Sequence, residues 1–197
     1  DAALIIAKIN EQSCYYPNIK EIEILKKFIL YQRNRTTKNR DHLLNIQWDG
    51  ARNRLEMQLK KDKKYISEDK FKMLEKVFEK KYARTVPQKA LEITESVLSK
   101  IADLELLIVQ YNNKIHKLIS SDNPVIFYNP FYCRAIGLIQ AGLIILFPIS
   151  PSKLIVIFDA KMYQRYKGKE IINLTNENEV KMLNVFQLIV AKEIVYF

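Results

Sequence analysis

Apolar side chains recur along this chain with two different rhythms. Residues 2–12 are apolar and helical in character, and Tyr15, Tyr16, Pro17 and Asn18 break the run. From Ile19 the apolar positions Ile22, Leu25, Phe28 and Ile29 fall at i+3, i+6, i+9 and i+10. That spacing predicts an amphipathic helix to Gln32 with one buried stripe. Gln32 continues the same face, and Arg35 and Thr36 lie three and four residues beyond it. Polar groups in line with a buried stripe need partners, because burying them unpaired is costly. Residues 41–60 predict a second long helix with Leu44, Trp48, Leu55 and Leu59 on its apolar face. Gly50 weakens its middle by about 1 kcal/mol relative to Ala. After a charged connection over 60–64, Ser67 is an N-cap with Glu68 and Asp69 in the first turn. Phe71, Leu74, Val77, Phe78 and Tyr82 then form a core stripe, and Pro87 opens a further helix carrying Leu91, Val97, Leu98 and Ile101.

The rhythm changes after residue 103. Residues 104–111 are an apolar run without a helical period. Residues 125–128, 143–147 and 153–158 are rich in Ile, Val, Phe and Leu and are bounded by Pro, Gly, Asn and Ser, which are strand signals. Pro124, Pro130, Pro148 and Pro151 mark turns between them. Asn176 caps a helix from Glu177, with Val180, Leu183, Phe186, Leu188 and Val190 inward, and residues 194–197 read as a closing strand. The fold class predicted is α+β. A helical lobe (1–103) packs on a sheet-rich lobe (104–197), mainly antiparallel with a closing helix, and both share one core in a single domain 1–197.

Composition narrows the class. At 197 residues the chain buries enough surface to need no disulfide or metal staple, and 48% apolar residues exclude a disordered tail. No apolar run reaches the roughly 18 residues of a membrane span. The chain starts at Asp1, without a basic segment before an apolar stretch. The expectation is a cytoplasmic protein without a signal peptide, with its natural start missing. Cys14 and Cys133 stand far apart, and a zinc site would have to enlist both with His42 and His116. Free thiols in a reducing cytoplasm are the simpler reading. Four glycines leave no Gly-rich phosphate loop, and the usual hydrolase and zinc-protease motifs are absent.

Charge adds a partner. Of a net +10, the stretch 33–64 holds ten basic side chains against four acidic ones. Arg52, Arg54, Lys60 and Lys61 belong to it, and five of the eight arginines fall between 33 and 54. Such a stripe attracts phosphate backbones through counterion release. The alternative is a merely solvated basic face in a chain whose Lys, Asn and Ile content follows coding bias.

Four segments, in order, carry a family resemblance: Phe28-Ile29-Leu30-Tyr31-Gln32-Arg33-Asn34-Arg35-Thr36, then Ser121-Asp122-Asn123-Pro124-Val125, then Phe147-Pro148-Ile149-Ser150-Pro151, and Leu183-Asn184 in the last helix. Over about residues 20–197 the chain resembles the bacterial family known as domain of unknown function 4238. Members usually begin with a His-His-Tyr-Val-Pro-like segment and a Tyr-Leu-Arg motif, which this chain lacks. The resemblance implies a setting in bacterial defence or toxin loci.

The motifs yield a candidate site. Asp122 is the acid, base or metal-binding carboxylate, with Ser121 and Asn123 placing a phosphate and Gln32 and Arg35 facing it from the helix. Asn184, polar on an apolar helix face, joins the ligand-binding set with Arg52 and Arg54. The competing structural reading makes Ser121–Pro124 an Asx turn and Gln32 and Arg35 its hydrogen-bonding props. Asp159-Ala160-Lys161 after a strand has the acid-x-Lys form of a metal-dependent nuclease, in which carboxylates hold Mg²⁺. A Cys133/His116 nucleophilic pair is formally available. The expectation is a defence- or toxin-associated effector acting on nucleic acid or nucleotide, and if an enzyme then a nuclease, metal-dependent in form, or another phosphodiester hydrolase. The alternative is a non-catalytic module sensing a partner protein or a phosphate-bearing ligand. A divalent metal such as Mg²⁺ suits the nuclease form, and neither reading involves a membrane.

Overall fold

The computed structural model describes residues 1–62, 64–82, 85–112, 117–131 and 140–196. Five helices come first: α1 (Ala2–Glu11), α2 (Ile19–Asn34), α3 (Thr37–Lys61), α4 (Glu68–Tyr82) and α5 (Val86–Leu98). The strands β1 (Glu105–Tyr111), β2 (Ser120–Ser121), β3 (Ile126–Tyr128), β4 (Ile144–Ser150), β5 (Lys153–Phe158) and β6 (Ile171–Leu174) follow. Helix α6 (Glu177–Val190) and strand β7 (Val195–Tyr196) close the chain. The architecture is α+β. One five-stranded sheet has the order β3-β4-β5-β1-β6, antiparallel throughout except for the parallel β1–β6 pair, and β2 and β7 form a separate antiparallel pair. Among the described residues no helix is long and apolar enough to cross a membrane.

Strand side chains point alternately to the two faces, and here both faces are covered. Leu106, Ile108, Ile145, Ile155 and Ile157 face α1 and α2, meeting Ile5, Ile9, Leu25, Ile29 and Leu30. Leu107, Val109, Leu146, Leu154 and Phe158 face the other way, toward Val180 of α6 and the 159–170 connection. Double coverage explains why β1 and β5 read as continuous apolar runs, without polar alternation. Helix α3 is different. It has no buried residue, and Trp48 packs on Phe78 of α4 at 5.4 Å between ring centroids. The sheet is therefore covered by α1 and α2 on one face and by α6 on the other, while α3 packs on α4 and α5.

Local chemistry sets the helix ends. Asn18 and Glu21 form a reciprocal capping box at the start of α2, with N–H···O distances of 3.0 and 3.1 Å. The Thr36 hydroxyl accepts from Asn39 N–H and starts α3 four residues before the position expected from the apolar pattern. Two buried lysines grip carbonyl ends of helices. Lys26 donates to Ala102 and Leu104 after α5, and Lys153 donates to Ile9, Asn10 and Gln12 at the end of α1. Burial pulls the proton affinity of both below that of a free lysine. The Pro148–Pro151 segment is the β4–β5 hairpin, with a register shift between Pro148 and Ser150. There Leu118 N–H donates to the Pro151 carbonyl at 2.9 Å.

Candidate functional site

The Ser121–Pro124 turn lies between β2 and β3 and is clamped by α6 and the segment after it. Ser121, 3% exposed, donates its hydroxyl to Gln187 Oε1 at 2.8 Å. Gln187, 1% exposed, donates its Nε2 to the Pro124 carbonyl at 2.8 Å. Asn123 N–H donates to Ser121 Oγ at 3.2 Å, and Asn123 Nδ2 donates to the Val190 carbonyl, also at 3.2 Å. One turn of α6 earlier, Asn184 accepts from Ile119 N–H at 3.1 Å and donates to the Lys117 carbonyl at 2.8 Å. Ser121 and Asn123 thus belong to one network with Gln187 at its centre, while Asn184 ties α6 separately to the backbone just before β2. Gln187 is not among the residues the sequence singled out, although its place seven positions after Val180 on the apolar stripe was a signal that could have found it.

Asp122 accepts from Lys192 N–H on Oδ1 and from Glu193 N–H on Oδ2, each at 3.0 Å, while its own N–H donates to Ile194 O. The Lys192 amide foremost, with those of Glu193 and Ile194, holds the carboxyl below its usual range. A carboxylate held this way is a poor proton acceptor at neutral pH. Asp159 is engaged similarly, accepting from Gly142 N–H and Lys161 N–H at 3.0 Å each, while Lys161 Nζ reaches Asp103 at 3.3 Å. Among the described residues no three His, Cys, Asp or Glu side chains converge to hold a metal ion. The described donor set does not fit the Mg²⁺ that a nuclease reading implies. Cys133 and His116, the formal nucleophile pair, lie outside the described residues.

The α2 side chains divide around the corner to α3. Arg35 is the C-cap of α2 and is exposed. It lines a hollow against α5. Gln32 is half-buried one turn earlier. Among the described residues no hydrogen bond or ion pair joins either to Asp122. The arginine on the side of the turn is Arg33, set apart by the roughly 100° per residue of an α-helix. Its guanidinium stacks 3.9 Å above the Phe127 ring, and burial lowers its proton affinity without removing its charge. No described carbonyl or carboxylate accepts from it. Nothing in the sequence distinguished Arg33 from its neighbours, because its role depends on which strand passes beneath α2.

Arg33 opens onto a cleft of about 620 Å³. Lys38, His42 and Asn45 from α3 line one side, with Asn123 of the turn and Lys192 after α6 across from them. Asp41, among the described residues the one carboxylate in the wall, is taken by Lys192 Nζ and Arg40. Lys38 Nζ donates to the last carbonyl of α6, Val190 O, at 3.0 Å. Among the described residues three cations thus face one carboxylate, and no described protein acceptor meets the Arg33 fork. Arg52 and Arg54 lie further along α3. Arg52 donates to Glu56 at 2.9 Å and Glu68 at 3.0 Å and stacks on Phe71, tying α3 to α4. Arg54 lines a shallow hollow with Phe78, Tyr82 and Lys89. Six of the ten basic residues of the stretch, Lys38, Arg40, Arg52, Arg54, Lys60 and Lys61, are spread along α3, and Lys63 lies outside the described residues.

No curated protein and no solved structure matches this chain. The motifs that build the clamp and the cleft run from α2 to α6, and residues 1–197 match a single family throughout, so the chain belongs to the family described as "Protein of unknown function (DUF4238)".

Proposed function

We propose that this protein recognises the phosphate group of a nucleic acid or nucleotide in the cleft between the α2–α3 corner and the Ser121–Pro124 turn. The observation that supports this is Arg33. A half-buried guanidinium without a described acceptor is costly, and stacking on an aromatic ring returns only about 0.5–2 kcal/mol. The planar fork matches two phosphate oxygens, which restores the missing hydrogen bonds. Lys38 and Lys192 add positive potential, and Asn123 and Asn45 supply neutral donors. The reading agrees with the defence or toxin setting that the family resemblance implies, as an effector acting on nucleic acid or nucleotide. Asp122 favours the binding-module form of the reading, since both its oxygens are held by backbone amides.

Fluorescence anisotropy with short labelled DNA and RNA oligonucleotides and a labelled nucleotide, at several salt concentrations, tests the proposal. Arg33→Met should weaken binding at least about tenfold, the loss of one bidentate contact, with the melting temperature unchanged or raised. Lys38→Gln should reduce the salt slope by about one for the oligonucleotides. Salt-independent binding, or unaltered affinity in Arg33→Met, would refute the phosphate reading.

A further inference from the structure

On the opposite side of the same corner lies a second concavity, of about 300 Å³, walled by Val86, Pro87, Ala90 and Leu91 of α5 and by Tyr31 of α2. Arg35 and Arg40 also line it. The wall is almost entirely apolar, and its neutral polar neighbours are already paired. Asn34 donates to Thr94 Oγ1 at 2.7 Å and accepts from Asn39 Nδ2 at 3.1 Å. The Tyr31 hydroxyl donates to Glu95, which Lys27 also holds at 2.7 Å. Among the described residues no acidic side chain lines the pocket. Arg35 is exposed without a described acceptor, and Arg40 reaches Asp41 only at 3.3–3.4 Å, long for a charge-assisted bond.

We propose that this pocket binds a small molecule with an apolar body and a single anionic head group. The body lies against Val86, Pro87, Ala90 and Leu91, and the head engages the Arg35 guanidinium, with Arg40 adding charge. Volume and chemistry agree. Small-molecule sites begin at about 300 Å³ and are mostly apolar with a few polar groups that fix orientation. An apolar wall shields the head group on one side, which strengthens the attraction to Arg35 relative to bulk water. A nucleotide would suit the pocket poorly, because the base and sugar would lose their hydrogen bonds against a wall that offers almost none. The site is separate from the Arg33 cleft and does not depend on its assignment.

The test uses octanoate as probe, with 1-octanol as the same body without the head and acetate as the head without the body. Amide chemical shifts of the isotopically labelled protein are followed during titration. Octanoate should shift resonances of residues 31–35 and 86–91 saturably, with octanol and acetate each at least about tenfold weaker, as one charge-assisted contact and one buried chain predict. Arg35→Gln, at an exposed position, should weaken octanoate about tenfold and leave octanol unchanged. Ala90→Leu should fill the pocket and abolish binding. Should that variant lose its native spectrum, Leu91→Asp, at a residue 52% exposed, should repel the head group instead. Failure of octanoate to saturate, equal affinity for octanol, or unchanged affinity in Arg35→Gln would overturn the proposal.

Discussion

Gln187→Leu removes the centre of the clamp that holds the Ser121–Pro124 turn. Two hydrogen bonds disappear together, Ser121 Oγ to Gln187 Oε1 and Gln187 Nε2 to the Pro124 carbonyl, each 2.8 Å long. Ser121 and Gln187 are 3% and 1% exposed, so water does not replace the lost partners without rearrangement. Because a buried partner is left stranded, each loss costs about 1–3 kcal/mol rather than the roughly 0.5–1.5 kcal/mol net of an ordinary bond. The Ser121 oxygen still accepts from Asn123 N–H, which limits the damage on that side. The expected cost is about 2–4 kcal/mol. At about 2–4 °C per kcal/mol for a chain of this size, the melting temperature should fall by roughly 5–15 °C. Thermal unfolding followed by circular dichroism measures it. Gln187→Glu refines the test, because the carboxylate keeps the acceptor for Ser121 but opposes the Pro124 carbonyl. Burial raises the pKa of the introduced Glu above its unfolded value, so its stabilising, protonated form is present below about pH 4 and is lost as pH rises through the folded pKa. A Gln187→Leu protein within about 1 kcal/mol of the parent, or a Gln187→Glu defect that does not shrink in acid, would refute the clamp.

Asp122→Asn should keep the fold, because the amide retains one acceptor oxygen, while Asp122→Ala should cost about 1–2 kcal/mol through two lost backbone contacts. The folded pKa of Asp122 lies below the ordinary 3.8, so its contribution is present above that pH and is lost as pH falls through the folded value. Melting curves from pH 7 to pH 2 should show the gap between parent and Asp122→Asn closing only below about pH 4, and a gap constant with pH would contradict the assignment. Undiminished phage restriction or growth arrest by a folded Asp122→Asn protein would exclude that carboxylate as a catalytic base. Lys153→Met should strand the carbonyl end of α1, lowering stability by about 2–3 kcal/mol in a urea titration and speeding proteolysis within residues 12–18. An unchanged midpoint would show that α1 is held by its apolar face alone.

The rhythm of apolar residues determined much of the fold. The stripe on α2, the runs that became β1, β4 and β5, and the Asn176-capped α6 were legible because burying an apolar face imposes a local period on the chain. β6 and β2 were not legible, since four residues such as Ile171–Leu174 carry too short a pattern and owe their pairing to a neighbour distant in sequence. Ser121, Asp122, Asn123 and Asn184 stood out as polar residues beside turns and apolar faces, and the structure gathers all four at the end of α6. Which α2 side chain meets that turn was not readable. The expectation chose Gln32 and Arg35 by their alignment with the buried stripe, and the side chain that reaches the cleft beside Asn123 is Arg33. A period locates the buried face of a helix. Where the flanking side chains go depends on the rotation of α2 over β3 and on the return of α6, which only long-range packing decides. Arg52 makes the same point, because its charge was visible in the sequence but its neutralisation by Glu56 and Glu68 required α4 to fold back onto α3.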